Sequence, residues 1–233
     1  MRDRAKLTAM LLTGVALTIT GLGAAMAVRL QGAGRIDALP VLWEAPDFAL
    51  TDQTGDTLTR ADLAGTTWLA SFIYTNCPDF CPLVSRRMAE LRDELAAEDL
   101  LGSRVRLVSI TVDPARDTPA ALHDYAARFG GADPADWAFL TGEPAVVRAV
   151  VESGFRVPAS PQAEAAASAH EHGAAAADGY TVLHSDRIIL VDAAGRVRGF
   201  YSATDPAELE RLRAELRFVL RSGPDRMPGS TPT

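Results

Sequence analysis

The chain's most constraining feature is a seven-residue apolar run at 68–74, WLASFIY, that leads directly into Thr75-Asn76-Cys77-Pro78-Asp79-Phe80-Cys81-Pro82. A short run this rich in aromatic and aliphatic residues reads as a buried strand. Beyond the motif, Val84, Met88, Leu91 and Leu95 fall at helical spacing, so a helix is expected over 83–97. Two prolines shape the junction. Each disfavours helical backbone at the residue before it, here Cys77 and Cys81. Pro82 itself suits the first position of a helix. This predicts Cys81 at the helix N-cap and Cys77 in the loop before it. A helix N-terminus carries partial positive charge, which favours a thiolate. A thiolate is the form needed for both disulfide exchange and metal ligation. These two cysteines are the only ones in the chain, so a disulfide-rich scaffold is excluded and a redox pair or a metal pair remains.

The surrounding pattern alternates strands and helices. Residues 48–58 alternate apolar and polar around Gly55, as a β-hairpin does. A strand is expected at 106–112, and a helix from Thr118 as N-cap and Pro119 in the first turn through Phe129. A short strand follows at 137–140, then a helix at 143–153 ended by Gly154. Residues 187–191 read as a strand paired with 196–201 across Ala194-Gly195, and 206–220 as the last helix. The order implies an α/β domain, and its closing hairpin requires a mixed sheet. The predicted class is therefore a thioredoxin-like fold with a mixed central sheet, an N-terminal β-hairpin and flanking helices.

Residues 7–28 carry no charge, and roughly 20 apolar residues span a bilayer. Arg2, Arg4 and Lys6 precede the run, which places residues 1–6 in the cytoplasm and the rest outside. A cleaved signal peptide is the rival reading, since Ala25-Met26-Ala27 resembles a cleavage site. The run is long for a signal, which favours a single-pass anchor in the inner membrane. Either way the following domain is exported to an oxidising compartment. Residues 29–46 read as a linker, 47–221 as the domain, and 222–233 as a disordered tail. Within the domain, 158–179 is dominated by small residues and reads as a flexible insertion carrying His170 and His172. The net charge of -7 argues against a nucleic-acid partner, which would need a basic patch.

The C-x-x-x-C spacing can close a disulfide or place two sulfurs around a metal. Soft sulfur favours Cu(I), and imidazole also suits copper. Zinc usually takes four ligands in a closed site, and the sequence offers no convincing set of four. Of the histidines, His123 falls on a predicted helix beside Asp124 and reads as a solvated surface residue. His184 lies at the mouth of the 187–191 strand, although a lone histidine is more often structural than a ligand.

Three segments, YTNCPDFCPL, SITVDPARDTPAALHDYAARFG and LHSDRIILVDAAGRVRGFY, resemble the Sco/SenC family over about residues 46–220. The resemblance implies a thioredoxin-like protein that binds copper, as Cu(I) and also Cu(II), through Cys77, Cys81 and His184. It implies a role in assembling the dinuclear copper site of cytochrome c oxidase subunit II, or of another exported copper protein. Some members act mainly as thiol–disulfide reductants, so a metallochaperone and a membrane-anchored oxidoreductase acting through the Cys77/Cys81 redox pair are both carried forward. A thioredoxin-scaffold peroxidase fits the C-P-x-x-C-P pattern poorly. Asp79 reads either as a helix-start acid or as a tuner of the thiolates, and Asp113-Pro114 as turn chemistry. The insertion before His184 is long for the family.

Overall fold

The computed structural model describes residues 38–78, 80–157 and 186–222. Its strands are β1 (Trp43–Glu44), β2 (Ala49–Thr51), β3 (Thr57–Thr59), β4 (Thr67–Ile73), β5 (Val105–Thr111), β6 (Trp137–Leu140), β7 (Arg187–Val191) and β8 (Arg196–Ser202). Six form one sheet in the order β1-β8-β7-β4-β5-β6. The β4, β5 and β6 strands run parallel, and the others pair antiparallel. The β2–β3 pair is a separate hairpin. The helices are α1 (Phe80–Ala97), α2 (Pro119–Ala127), α3 (Pro144–Arg148), which continues as a π-helical turn over Ala149–Gly154, and α4 (Pro206–Ser222).

The centre of the sheet explains its own sequence. All seven residues of β4 are buried, and six of seven in β5. Strands covered on both faces read as continuous apolar runs rather than alternations. On one face of β4, Trp68 meets Phe48 and Phe155 edge-on, and Phe72 meets Phe155. Several polar side chains at the centre pair with one another. The Ser71 and Ser109 hydroxyls share a hydrogen bond of 2.8 Å, and Trp137 Nε1 donates to Ser109 Oγ at 2.9 Å. The hairpin is secured to β6 by the buried Gln53 amide, which donates to the Trp137 carbonyl at 2.9 Å and accepts from the Phe139 N–H at 2.8 Å.

Helix α1 buries Val84, Met88, Leu91 and Leu95, and α4 buries Leu209, Leu212, Leu216 and Val219. Both are amphipathic stripes of the expected kind. They are bridged by Arg213 to Glu94 at 2.8 Å and Arg217 to Glu98 at 2.7 Å. Thr118 caps α2, accepting from the Ala121 N–H at 3.2 Å, with Pro119 in the first turn. The β7–β8 hairpin turns through Gly195 at φ +78°, a left-handed conformation that glycine adopts without a Cβ penalty.

Two expectations need correction. Part of the span read as linker belongs to the sheet: Trp43 and Glu44 pair with Val197 and Arg196 of β8. A two-residue strand is too short to leave a periodic signal. The chain before it is also gripped, because the guanidinium of Arg198 donates to the carbonyls of Leu39 and Pro40. The second correction concerns α1, which begins at Phe80 and so takes Cys81 inside its first turn. The bias against helix before Pro82 is overridden there. Pro82 needs no N–H partner in a first turn, and Cys81 becomes buried at 1% exposure. The predicted anchor at 7–28, the insertion at 158–179 and the tail beyond Ser222 lie outside the described residues. Among the described residues, no helix is long and apolar enough to cross a membrane.

Candidate metal centre

The cysteine motif begins where the sheet stops. The last ladder bond beside it runs from the Val112 N–H to the Ile73 carbonyl at 2.8 Å. Past Ile73 the chain turns, and the Tyr74 carbonyl accepts from the Cys77 N–H at 3.3 Å. Cys77 Sγ then accepts from the backbone N–H of Cys81 at 3.3 Å. The sulfur that meets the helix start is therefore that of Cys77. Orphan N–H groups of a first helical turn need such acceptors. Both cysteines are thiols and both are buried.

The surroundings resist a second negative charge. The Cys81 thiol is pushed well up from its usual range, first by its hydrogen bond with Cys77, then by burial, then by the charge of Cys77, with Asp117 adding to the effect. The Tyr74 hydroxyl is pushed up by burial, by its hydrogen bond with Cys77 and by the charges of Cys77, Cys81 and Asp113. Tyr125, whose hydroxyl shares a 2.9 Å hydrogen bond with Ser85 of α1, is pushed up by burial and by the same two sulfurs. Sequence reasoning placed Cys81 at a cap where the helix would stabilise its thiolate. Inside the helix, hydrogen-bonded to another sulfur and buried, the Cys81 thiol is instead pushed toward its protonated form.

A buried carboxylate lies behind the loop. Asp117 accepts from the Thr75 N–H at 3.1 Å, from the Thr75 hydroxyl at 2.5 Å and from the Thr111 hydroxyl at 2.5 Å. Burial pushes its carboxyl up, against these hydrogen bonds. The Asp113 carbonyl accepts from the N–H groups of Arg116 and Asp117, the turn expected for Asp113-Pro114. Asp113 is itself buried at 3% exposure. Sequence reasoning missed Asp117, Tyr74 and Tyr125. The one available signal was an acidic residue directly before the Thr118-Pro119 cap.

The structure brings Cys77 and Cys81 together. His184, Asp79, His170 and His172 lie outside the described residues, and His123 is exposed on α2. Among the described residues, no group of three or more histidines, cysteines or acids is placed to hold a metal. Two adjacent, buried soft sulfurs nevertheless fit Cu(I) by their chemistry, with room in the ligand set for an imidazole.

A parallel β4–α1–β5 unit with antiparallel β7 and β8 beside it, and a dithiol at the end of β4, defines a thioredoxin-like protein. The profile of the SCO1/SenC family matches residues 42–220, and the chain belongs to that family. It is 37% identical over 103 residues to the SCO1 protein homolog of Bacillus subtilis, a match covering 44% of this chain and about half (51%) of that relative. The copper-bound structure of ScoI from Bradyrhizobium japonicum superposes with a TM-score of 0.58 at 30% identity, covering 76% of this chain and 99% of the other. The structure of BsSco, described as a Sco family cytochrome c oxidase assembly protein with a disulfide switch, gives a TM-score of 0.62 at 25% identity, covering 79% and 97%. Of these relatives, ScoI is seen with copper bound, and BsSco is a member of the Sco family of cytochrome c oxidase assembly proteins.

Proposed function

We propose that this chain is a copper carrier of cytochrome c oxidase assembly. In this reading Cys77 and Cys81 ligate Cu(I), His184 supplies the third donor, and the cargo passes to the dinuclear copper site of oxidase subunit II. The supporting observation is the pairing of two buried thiols across one helix start, with Cys77 Sγ on the Cys81 N–H at 3.3 Å. Loading exchanges protons for metal: two thiols and one Cu(I) give a bis-thiolate and release two protons. Because Cys81 holds its proton strongly, release to a partner's sulfurs is helped by return of that proton. Residues 7–28 serve as a single-pass anchor in the inner membrane, residues 1–6 remain in the cytoplasm, and the domain works on the exported side.

Titration of the reduced full chain against a Cu(I)-chelating competitor tests this reading. One Cu(I) per chain is expected, and equal retention by the Cys77→Ser/Cys81→Ser double variant would overturn it. The apparent affinity should fall with pH by about tenfold per unit for each proton released on loading.

A second reading is favoured by the same sulfur contact. The pair also suits a thiol–disulfide reductant, in which Cys77 and Cys81 each lose a proton, form one S–S bond and give two electrons to a client disulfide. His184→Ala separates the two. A carrier loses copper retention and oxidase activity in low-copper medium, whereas a reductant is nearly unaffected by losing an imidazole that takes no part in sulfur exchange.

A further inference from the structure

Beyond Ile73 the chain leaves the sheet, so the segment that carries Cys77 has lost its strand partners. It is not left loose. Thr75, two residues before Cys77, has its backbone N–H and its hydroxyl both bound by the carboxylate of Asp117. The same carboxylate takes the hydroxyl of Thr111, the last residue of β5. Asp117 is 1% exposed and Thr111 fully buried. From Asp117 a continuous line of contacts reaches the sulfur: Thr75 adjoins Tyr74, whose carbonyl holds the Cys77 N–H, and Cys77 Sγ holds the Cys81 N–H.

Burying a carboxylate is costly unless its oxygens are hydrogen-bonded, and buried charge is poor value for stability alone. Here all three donors come from the cysteine loop and from the strand end beside it. We propose that Asp117 is the positioning residue of the dithiol: by holding Thr75 at two points against the end of β5, it sets where Cys77 lies relative to Cys81. This rests on the working role proposed above for the two cysteines, whether they carry copper or exchange disulfides. A ligand pair fixed in advance binds metal more tightly than one that must be ordered on binding.

The test uses the full chain in detergent, as wild type, Asp117→Asn, Thr75→Val and the double variant. An asparagine side chain has one oxygen in place of two and cannot keep all three bonds. Valine removes one donor with no change of charge. Two quantities are measured: the Cu(I) dissociation constant by chelator competition, and the Cys77/Cys81 dithiol–disulfide equilibrium in glutathione buffers by thiol trapping. Loss of a ligand-orienting partner typically weakens metal binding about 10- to 100-fold, and that loss is expected in both single variants. The equilibrium should shift in the same direction in both, by about five- to tenfold, the size of one lost hydrogen bond. The double variant should be no worse than Asp117→Asn, as for two residues in one contact.

Opposite signs in the two single variants would overturn the proposal, because they would show Asp117 acting through charge and not through placement. So would a lowered melting temperature with both quantities within twofold of wild type. If Asp117→Asn does not fold, Thr75→Val alone decides. If the wild type binds no Cu(I), the carrier reading fails, while the dithiol–disulfide equilibrium still judges the clamp.

Discussion

Two buried aspartates stand near opposite ends of β4, and they are treated in opposite ways. Asp192, just past β7 and beside the start of β4, is paired with Arg198 at 2.8 Å and Arg196 at 2.9 Å. Burial works against its charge, but the hydrogen bonds from Arg198 and Arg196 prevail and hold its carboxyl below the usual range. Asp117, near the other end, receives its hydrogen bonds from two threonines. Burial prevails there, and the carboxyl is pushed up, with Arg116 acting only weakly through space. At one end of the strand two guanidiniums meet the carboxylate, and at the other two threonines do. The first arrangement serves stability. The second leaves burial to raise the proton affinity of the carboxyl next to the cysteine loop.

The largest expected effect lies at the sulfur end. Cys81→Ser should reduce Cu(I) retention to background in a chelator competition while leaving the melting temperature nearly unchanged, since serine is close in size and Tyr74 and Ser85 offer polar neighbours. Next comes the Asp192 end. Asp192→Asn leaves the guanidinium of Arg198, 2% exposed, without its carboxylate, and breaking a buried pair costs about 3–5 kcal/mol. Denaturant unfolding should show that loss with Cu(I) affinity intact. Equal loss of copper binding would show that the two ends are coupled.

Acid titration sharpens the contrast. Asp192 has a lowered carboxyl, so its contribution is present above the unfolded value of about 3.9 and disappears as pH falls through its folded value. Asp117 has a raised carboxyl, so its contribution is present below about 3.9 and is lost as pH rises through its folded value. Melting temperatures followed from pH 7 into acid should therefore fall less steeply in Asp192→Asn than in wild type, and more steeply in Asp117→Asn. The smallest effect is expected at the surface. Arg213→Ala removes the bridge between α1 and α4, and a partly exposed pair of this kind contributes about 0.2–1 kcal/mol.

Much of this was legible in the sequence, and the exceptions have separate causes. Strands β4, β6 and β7 showed as apolar runs because burial on both faces removes the alternation. The Thr118-Pro119 cap and the Ala194-Gly195 turn showed because their chemistry is local. The start of α1 did not, since Pro82 suits the first helical position but is equally at home two residues later within the first turn. The environment of the thiols did not show either. Tyr125 and Asp117 reach the motif only after β5 has crossed back beside β4, and no local pattern records that approach. The motif thus marked two sulfurs as the candidate reacting atoms, while their proton affinities depend on side chains from elsewhere in the chain. His184 was singled out through the family resemblance and lies outside the described residues.

The grip of Arg198 on the carbonyls of Leu39 and Pro40 has a mechanical consequence. A pull on the backbone at Ala38 meets a guanidinium anchored to Asp192, followed at once by the β1–β8 pairing. The load is borne by the outer strands on the β8 side of the sheet. Strand β7 stands between them and β4, so a pull on Ala38 meets the Asp192 end of the sheet before any strand that leads to the dithiol loop.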